Sequence, residues 1–320
     1  MKDFTALRIV FMGTPEFAVA SLDALVKAGC NIVGVITAPD KPAGRGMQLQ
    51  QSAVKKYAVE KNLQVLQPEK LKNPAFLSEL KSLNADLQIV VAFRMLPEAV
   101  WNMPPMGSVN LHGSLLPQYR GAAPINWAVI NGEKETGVTT FKLKHEIDTG
   151  DILLQEAFPI GENETAGEVH DKMKEIGAAV LVETVKGLAA GTLKETSQNS
   201  QLSIVNCQLK HAPKIFTETC KIDFTQHAAA VHNLIRGLSP FPGAFTHLNG
   251  KMLKIYRSEM GRGASSGLNQ NSGSNVEPVT DGKTFLKFAC ADGFIFVKEL
   301  QLEGKKKMLV EDFLRGYRFE

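Results

Sequence analysis

The sequence predicts an α/β protein with a Rossmann-like, doubly wound parallel sheet, followed by a C-terminal small β-barrel (OB-like) domain. Strand-like and helical patterns alternate over the first 190 residues, a polar stretch follows, and short strand-like runs recur after it. The 320 residues suffice for about two domains. Hydrophobic residues (44%) and charged residues (22%) occur at ordinary globular levels, which excludes disordered, collagen-like and coiled-coil chains.

The first strand and helix carry clear boundary signals. Residues 7–11 form an apolar run typical of a buried strand, and Thr14 and Pro15 suit the N-cap and the first position of a helix. Gly29 is typical of a helix end. Residues 31–37 then predict the second strand.

The same patterns repeat up to residue 190. They predict helices over 51–61 and 76–83 and further strands over 64–66, 87–93, 109–112 and 137–143. Strands and helices that alternate at this spacing favour a parallel sheet with helices on both faces. Thr165 and Glu168 form a capping box, which predicts a long helix that ends before Gly191.

The residues beyond about 204 change character. Strand-like runs recur at 252–256, 284–290 and 294–302, with a helical pattern at 228–238 and a Gly/Ser/Asn-rich loop at 261–275. We therefore predict an N-terminal α/β domain over 1–194, a linker over 195–206 and a C-terminal β-barrel domain over 207–320.

The lengths of the apolar runs and the cysteine spacing also indicate the cellular compartment in which the protein acts. Apolar runs are short, as at residues 89–93, whereas a membrane-spanning helix needs roughly 20 apolar residues. The N-terminus lacks the longer apolar core of a signal peptide, so we expect a cytoplasmic protein. The four cysteines are widely spread without a CxxC pair, which argues against disulfides and a structural zinc site.

The net charge of +3 is unevenly distributed along the chain. Residues 201–320 hold 16 Lys and Arg against 11 Asp and Glu, which gives +5, so residues 1–200 carry −2. A phosphate-bearing partner accounts for this basic C-terminal third, and so does an ordinary solvated surface.

Asn110 and His112 are the most informative polar pair. They lie two residues apart on a predicted strand, so both side chains point to the same face. Sites in open α/β sheets form beyond the carboxyl ends of strands, where burying a polar pair without a function is costly. A hydrogen-bonded pair that connects the strand to a neighbouring loop is an equally weighted alternative.

An acidic turn over residues 147–151 follows the strand-like run at 137–143. Its carboxylate at Asp148 can orient His112 and stabilise the charged imidazole. Asp148 and Asp151 can instead cap the turn or bind a divalent ion, but two carboxylates without further ligands make a weak metal site.

A Gly- and Pro-rich loop with Lys41 and Arg45 follows the second strand, over residues 37–46. A basic loop at this position suits phosphate recognition, and a solvated surface loop is the default alternative. The first strand is not followed by GxGxxG, and neither a Walker A motif nor GxSxG occurs. These absences disfavour dinucleotide, P-loop and serine-hydrolase sites.

Four motifs, in this order, resemble those of the formyltransferases that use 10-formyltetrahydrofolate. They are Asn110-x-His112-Gly-Ser-Leu-Leu-Pro117, Tyr119-Arg-Gly-Ala-Ala-Pro124, Thr136-Gly-Val-Thr139 and Asp148-Thr-Gly-Asp151. The resemblance implies that Asn110, His112 and Asp148 are catalytic. It also implies 10-formyltetrahydrofolate as co-substrate, no metal, and folate binding by Ser114, Leu115, Leu116 and Pro117.

Over about residues 7–318, the chain is most similar to the family members that act on methionyl initiator tRNA. The loop at 37–46 resembles their acceptor-stem loop, and the segments at 212–215 and 235–242 resemble their C-terminal domain. The resemblance therefore implies tRNA contacts at Lys41, Arg45 and Lys214. The segment 91–97, which contains Phe93 and Arg94, is shorter than the family form that walls the folate pocket.

Three alternative functions remain. A formyltransferase for an amino-sugar nucleotide shares the same catalytic residues, but the basic loop and the basic C-terminal domain favour tRNA. The phosphoribosylglycinamide enzyme needs no second domain. A non-catalytic RNA-binding protein is disfavoured because Asn110, His112 and Asp148 are all present. Nothing in the sequence demands an oligomer, so we expect a monomer.

Overall fold

The computed structural model of the chain describes residues 3–43, 48–198, 208–261 and 277–319. The chain divides into two compact units. The first unit comprises Met1–Arg120, Gly137–Phe158 and Asp171–Lys210, and the second comprises Gly121–Thr136, Pro159–His170 and His211–Glu320. The units alternate along the chain, and the domain boundaries at 194 and 207 stay a prediction.

The first ten strands run from residue 8 to residue 159. They are β1 (Arg8–Gly13), β2 (Asn31–Ile36), β3 (Lys41–Ala43), β4 (Gln48–Gln50), β5 (Val65–Leu66), β6 (Leu87–Val91), β7 (Ser108–His112), β8 (Arg120–Gly121), β9 (Glu135–Lys142) and β10 (Ile152–Pro159). The helices up to residue 190 are α1 (Glu16–Lys27), α2 (Ala53–Glu60), α3 (Pro74–Ser82), α4 (Glu98–Trp101), α5 (Pro124–Ile130) and α6 (Ala166–Ala190).

The main sheet has seven strands in the order β10-β9-β7-β6-β1-β2-β5. The five strands from β7 to β5 are parallel to one another, which confirms the predicted α/β class. Strand β9 runs antiparallel to β7, so the sheet is parallel-dominated rather than wholly parallel. An apolar run indicates a buried strand but carries no information about its direction, so the sequence could not predict this edge.

Burial on both faces explains the central strands. Residues 9–12 of β1 are fully buried, and all five residues of β6 are buried. Parallel strands covered by helices on both sides need such continuous apolar runs. Helix α1 begins at Glu16 with Pro15 as its N-cap, so the prediction that Thr14 caps it is wrong. Pro15 has an extended backbone, and its side chain makes no capping hydrogen bond.

The capping box before α6 is confirmed. The backbone N–H of Thr165 donates to the carboxylate of Glu168 at 2.8 Å, and the N–H of Glu168 donates to the Thr165 hydroxyl at 3.3 Å. These bonds satisfy N–H groups that have no partner within the helix. Gly191 follows α6 with a φ of +68°, a left-handed conformation that glycine adopts without strain.

The second unit is built on an antiparallel sheet. Its later elements are β11 (His211–Ala212), α7 (Ala228–Gly237), β12 (Ala244–Leu248), β13 (Lys251–Gly261), β14 (Val279–Thr280), β15 (Leu286–Ala289), β16 (Phe294–Leu302), β17 (Met308–Leu309) and α8 (Val310–Gly316). The strand order is β12-β13-β16-β15-β14, with β17 paired to β16. This curled sheet confirms the predicted barrel-like class. The predicted loop at 261–275 lies, except for Gly261, outside the described residues.

The core of the second unit is apolar and aromatic. Ile255, Phe288 and Leu300 are fully buried between the sheet and α7 and α8. Phe288 stacks on Phe224, with ring centroids 4.6 Å apart. In the part of the chain that the structure describes, no helix is long and apolar enough to cross a membrane.

One buried histidine makes the stability of the second unit depend on pH. His232 on α7 is 2% exposed, and its Nδ1 lies 3.0 Å from the Ser258 hydroxyl. Burial lowers the pKa of His232 below its ordinary value of 6.5. The unfolded chain therefore binds a proton at higher pH than the folded chain does, and the free energy of unfolding falls as the pH drops below 6.5.

Urea unfolding at pH 7.5 and 5.5 measures this loss. The contribution of one histidine is at most about 1.4 kcal/mol for each pH unit. We expect His232→Gln to reduce the loss on acidification. The matched control is His211→Gln, because His211 is exposed on β11 and its replacement is expected to leave the loss unchanged. An undiminished loss in His232→Gln contradicts the prediction.

Candidate active site

The carboxyl end of β7 carries the two predicted polar residues. Strand β7 lies between β6 and β9 in the main sheet. Asn110 is half-buried and His112 is buried, and the strand period of two places both on the same face. Leu111 points to the opposite face and packs against Gly177 of α6, where an added Cβ would lie 3.0 Å from its side chain. Close packing on that face fixes the strand beneath the polar pair.

His112 lies between two polar groups. Its Nε2 is 2.9 Å from the backbone carbonyl oxygen of Tyr119. A carbonyl only accepts hydrogen bonds, so Nε2 carries a proton and donates. The Nδ1 atom lies 3.9 Å from a carboxylate oxygen of Asp148, which is too long for a hydrogen bond. The structure therefore brings His112 and Asp148 together and leaves the Nδ1 edge of the ring available for chemistry.

A close backbone contact shapes the turn that carries Asp148. The N–H of Lys142 donates to the carbonyl of Asp151 at 3.0 Å, which closes the turn at its base. Gly150 is buried there, and a Cβ on it would lie 1.6 Å from the Lys142 carbonyl oxygen. Only glycine fits this position, so the Gly in the Asp-Thr-Gly-Asp motif has a steric cause.

Left-handed backbone occurs around the site. Six non-glycine residues among the described ones have a positive φ, and three of them are asparagines, which tolerate it. The other three are Ala92 (+45°), Tyr119 (+59°) and Asp148 (+55°). Ala92 follows β6, and the other two provide the groups that flank His112. Strained residues of this kind cost about 1–3 kcal/mol each and concentrate at functional sites.

The predicted folate-binding residues point in different directions. Ser114 is fully buried, and its hydroxyl donates to the carbonyl of Gln118 at 2.6 Å. Leu116 is 2% exposed and packs in a small apolar cluster. Leu115 and Pro117 are half-buried. Ser114 and Leu116 thus stabilise this segment through buried contacts, whereas Leu115 and Pro117 are partly exposed at its surface.

Thr139 of β9, which the sequence analysis named only as part of a motif, and Gln155 of β10, which it did not name, fix this segment. The Thr139 hydroxyl donates to the carbonyl of Ser114 at 2.7 Å and accepts the N–H of Leu116 at 3.1 Å. The side-chain amide of Gln155 donates to the carbonyl of Leu116 and to Thr139 Oγ1, both at 2.9 Å. The period of two along β9 and β10 places such side chains on one face but does not reveal their partners.

A second residue that the sequence analysis did not name is Gln198, which lies within the predicted linker over 195–206. It is 1% exposed, and its amide lies against the turn of Asp148. The polar composition of the segment and its lack of apolar residues predict a linker. No spacing pattern signals a single buried amide, so only the structure reveals it.

The metal alternative gains no support from Asp151. Its carboxylate forms an ion pair with Lys144 at 2.7 Å. Within the described ranges, no group of three or more His, Cys, Asp or Glu side chains is arranged to hold a metal ion.

Two of the three predicted tRNA-binding residues, Lys41 and Lys214, occupy exposed positions. Lys41 begins β3, which pairs with β4 in an antiparallel hairpin that the sequence did not predict. Asp40, at the base of the hairpin, accepts hydrogen bonds from Lys55 at 2.5 Å and Gln67 at 2.8 Å. Lys214 is exposed in the second unit, with its ammonium 5.7 Å from the ring centroid of the exposed Phe216. Arg45 lies outside the described residues.

Comparison with known proteins gives matches over both halves of the chain. Residues 7–185 match the formyl transferase family, and residues 214–318 match the formyl transferase C-terminal domain. Curated relatives named methionyl-tRNA formyltransferase include one from Bacteroides thetaiotaomicron, 53% identical over 317 residues (98% of this chain and 96% of the relative). Another, from Phocaeicola vulgatus, is 55% identical over 319 residues with the same coverage.

Solved structures share the fold at low sequence identity. One is WlaRD, a sugar 3N-formyl transferase in the presence of dTDP and 5-N-formyl-THF, with a TM-score of 0.65 and 22% identity over 94% of this chain and 99% of that one. Another is HypX from Aquifex aeolicus in complex with tetrahydrofolic acid, with a TM-score of 0.63 and 18% identity over 98% of this chain and 48% of that one. From the family matches and from relatives more than half identical over nearly the whole chain, we conclude that the chain belongs to the formyltransferase family, among the methionyl-tRNA formyltransferases.

Proposed function

We propose that this enzyme transfers the formyl group of 10-formyltetrahydrofolate to the α-amine of methionine on the initiator tRNA, for translation initiation. The position of His112 between Tyr119 and Asp148, at the carboxyl end of β7 and on the same face as Asn110, carries the proposal. The names of the nearly full-length relatives support the substrate. The enzyme acts in the cytoplasm as a monomer.

The reaction forms one C–N bond and breaks another. The neutral amine nitrogen attacks the formyl carbon, whose carbonyl oxygen becomes a tetrahedral oxyanion. The intermediate collapses when the bond to N10 breaks, the amine loses a proton, and N10 of tetrahydrofolate gains one. Neither a metal nor a covalent enzyme intermediate takes part in this sequence of steps.

Asn110 and His112 stabilise the oxyanion in this proposal. The side-chain amide of Asn110 donates one hydrogen bond, and His112 donates a second from Nδ1, because its Nε2 already donates to Tyr119. One such donor is worth about 3 kcal/mol in the transition state. Asp148 faces the same Nδ1 edge, so it orients the imidazole, stabilises its charged form and helps to place a water that relays the amine proton.

The folate binds along the Ser114–Pro117 segment in this proposal. Leu115 and Pro117 contact the co-substrate directly, since they are the half-buried members of the segment. Ser114 and Leu116 keep the segment in shape through the hydroxyl bond to Gln118 and the apolar cluster. The segment 91–97, which contains Phe93 and Arg94, corresponds to the family segment that walls the folate pocket. Arg94 donates to the carbonyl of Glu69 at 2.9 Å, which fixes its direction.

The tRNA binds to basic groups on both predicted domains. The catalytic domain (1–194) supplies Lys41 and Arg45, and the C-terminal domain (207–320) supplies Lys214 and an overall charge of +5 when counted over residues 201–320. Lysine and arginine contacts to phosphates release counterions, so they supply affinity that depends on salt.

We therefore expect kcat/KM for methionyl-tRNA to fall as salt is added. Lys41→Ala and Lys214→Ala are each expected to reduce the slope of log kcat/KM against log salt by about 1. Initial rates between 50 and 250 mM KCl measure the slopes. Lys27→Ala is the control, because Lys27 is exposed on α1 and pairs with Asp23. Equal slopes in all variants would remove both lysines from the tRNA site.

The experiment that tests the function offers two acceptors in parallel. Labelled formyl is supplied as 10-formyltetrahydrofolate together with methionyl-tRNA or an amino-sugar nucleotide. We expect label on the tRNA. Label only on the sugar nucleotide retains the catalytic residues but overturns the tRNA assignment, and no label on either acceptor overturns formyl transfer.

A further inference from the structure

The amide of Gln198 is the centre of a buried hydrogen-bond network in the first unit. Its Oε1 accepts from Arg120 Nε at 3.0 Å and from Arg120 Nη2 at 2.6 Å. Its Nε2 donates to the carbonyl of Asp148 at 2.9 Å and to the carbonyl of Gly150 at 2.7 Å. Both donors and both lone pairs of the amide are used, which fixes its orientation.

The backbone around Gln198 is fixed as well. Thr196 pairs with Ile152, with N–H to carbonyl distances of 2.9 and 2.8 Å in the two directions. Glu195 also forms an ion pair with Lys142 at 2.5 Å, but this pair is partly exposed to solvent and adds little to the rigidity that the backbone pair provides. These contacts join the segment to the beginning of β10 and the end of β9, the two strands that flank the Asp148 turn. Gln198 is therefore presented to the turn from a rigid position.

The network joins the two groups that flank His112. Gln198 binds the carbonyls of the turn whose Asp148 carboxylate faces Nδ1. It also binds Arg120, the residue directly after Tyr119, whose carbonyl accepts from Nε2. Gln198 thus sets the spacing between the Asp148 turn, on the Nδ1 side of the imidazole, and Tyr119, on the Nε2 side.

Strain explains why this spacing needs a dedicated side chain. Tyr119 and Asp148 both have left-handed backbone, which relaxes unless the surrounding structure opposes it. A carbonyl without a donor in such a buried place costs about 1–3 kcal/mol. Gln198 supplies donors to two carbonyls of the strained turn, and Arg120 holds the amide in the orientation that allows this.

We propose that Gln198 is a positioning residue for formyl transfer, which sets the distance between the Asp148 carboxylate and His112 through the carbonyls of Asp148 and Gly150. The inference rests on the proposed function, because it assumes that Asp148 acts on His112 during the reaction. Gln198 itself touches neither substrate in this proposal.

Two substitutions test the role. Gln198→Met keeps the length and volume of the side chain but removes its donors, and Gln198→Glu keeps the acceptor for Arg120 but turns a carboxylate oxygen toward two carbonyls. We expect both to lower kcat at pH 7.5 by more than tenfold, with KM for 10-formyltetrahydrofolate and for methionyl-tRNA within twofold of the unchanged enzyme. In Gln198→Glu alone, we expect relative kcat to recover as the pH is lowered, because a protonated carboxyl can donate to one carbonyl again.

The matched control is Glu195→Gln, which breaks the ion pair of the same segment with Lys142 and leaves the amide in place. It is expected to keep kcat within twofold. A Gln198→Met enzyme with unchanged kcat overturns the inference. If Gln198→Met does not fold, the pH profile of Gln198→Glu decides, and a profile parallel to that of the unchanged enzyme overturns the inference.

Asp148→Asn, measured in the same assay, distinguishes a failure of the Gln198 inference from a failure of the proposed function. Full activity in Asp148→Asn overturns the proposed role of Asp148 and this inference with it. An inactive Asp148→Asn together with an unaffected Gln198→Met overturns the inference and leaves the proposed function intact.

Discussion

Asp148→Asn and His112→Ala are each expected to lower kcat for formyl transfer by ~10²–10⁴, with much smaller changes in KM. Asparagine has the shape of aspartate and tolerates the left-handed backbone found at position 148, so Asp148→Asn removes the charge without disturbing the turn. The loss then reports the contribution of the carboxylate 3.9 Å from His112 Nδ1.

His112→Ala removes more than the Nδ1 edge that is proposed to act in catalysis. It takes away the donor to the Tyr119 carbonyl and leaves a cavity beside Phe141, whose ring lies edge-on to the imidazole at 6.4 Å between centroids. Thermal unfolding must therefore accompany the kinetics for this variant. Steady-state rates against both substrates separate kcat from KM.

The control for this pair is Asp151→Asn. Asp151 belongs to the same turn, but its carboxylate pairs with Lys144, so its loss is expected to change kcat by less than about threefold, as for an exposed ion pair. If Asp148→Asn and His112→Ala raise KM and leave kcat unchanged, both residues belong to binding rather than to the chemical step.

Gly150→Ala is expected to reduce kcat by ~10² or more, although Gly150 does not contact the substrates in the proposed reaction. An added Cβ lies 1.6 Å from the Lys142 carbonyl oxygen, and real Cβ contacts are essentially never shorter than 3.0 Å. The turn must therefore open at its base and carry Asp148 away from His112. A displacement of about 1 Å at a catalytic group is enough for a loss of this size.

Thr149→Ala is the matched control for Gly150→Ala. It removes the hydroxyl bond from Thr149 to the Glu146 carbonyl in the same turn without adding an atom. Its kcat is expected to stay within about threefold, since a single exposed hydrogen bond contributes only about 1 kcal/mol. A fully active Gly150→Ala would show that the turn can open without moving Asp148.

The parts of the site that the sequence predicted are those governed by short-range patterns. Asn110 and His112 share a face because the strand period is two, and Thr165 with Glu168 marks a helix start because their spacing matches a capping box. Apolar runs likewise predicted the buried strands. Each of these signals is contained within a few neighbouring residues.

The features that the sequence did not predict depend on contacts between segments that are distant along the chain. The bond from His112 to Tyr119 uses a backbone carbonyl, which any residue possesses, so the sequence carries no trace of it. Gln198 reaches Asp148 across 50 positions, and nothing in its neighbourhood distinguishes it from a solvated glutamine. The antiparallel direction of β9 is also a property of tertiary packing.

The loops of the site are held mainly through their backbone oxygens. Four side chains that lie outside these loops donate to loop carbonyls: His112 to Tyr119, Thr139 to Ser114, Gln155 to Leu116, and Gln198 to Asp148 and Gly150. Residues outside the loops therefore maintain the shape of the loops. Many of the loops' own side chains are not needed to hold the loop backbone. Evolution can then exchange loop side chains to suit a different acceptor while the scaffold around His112 stays the same.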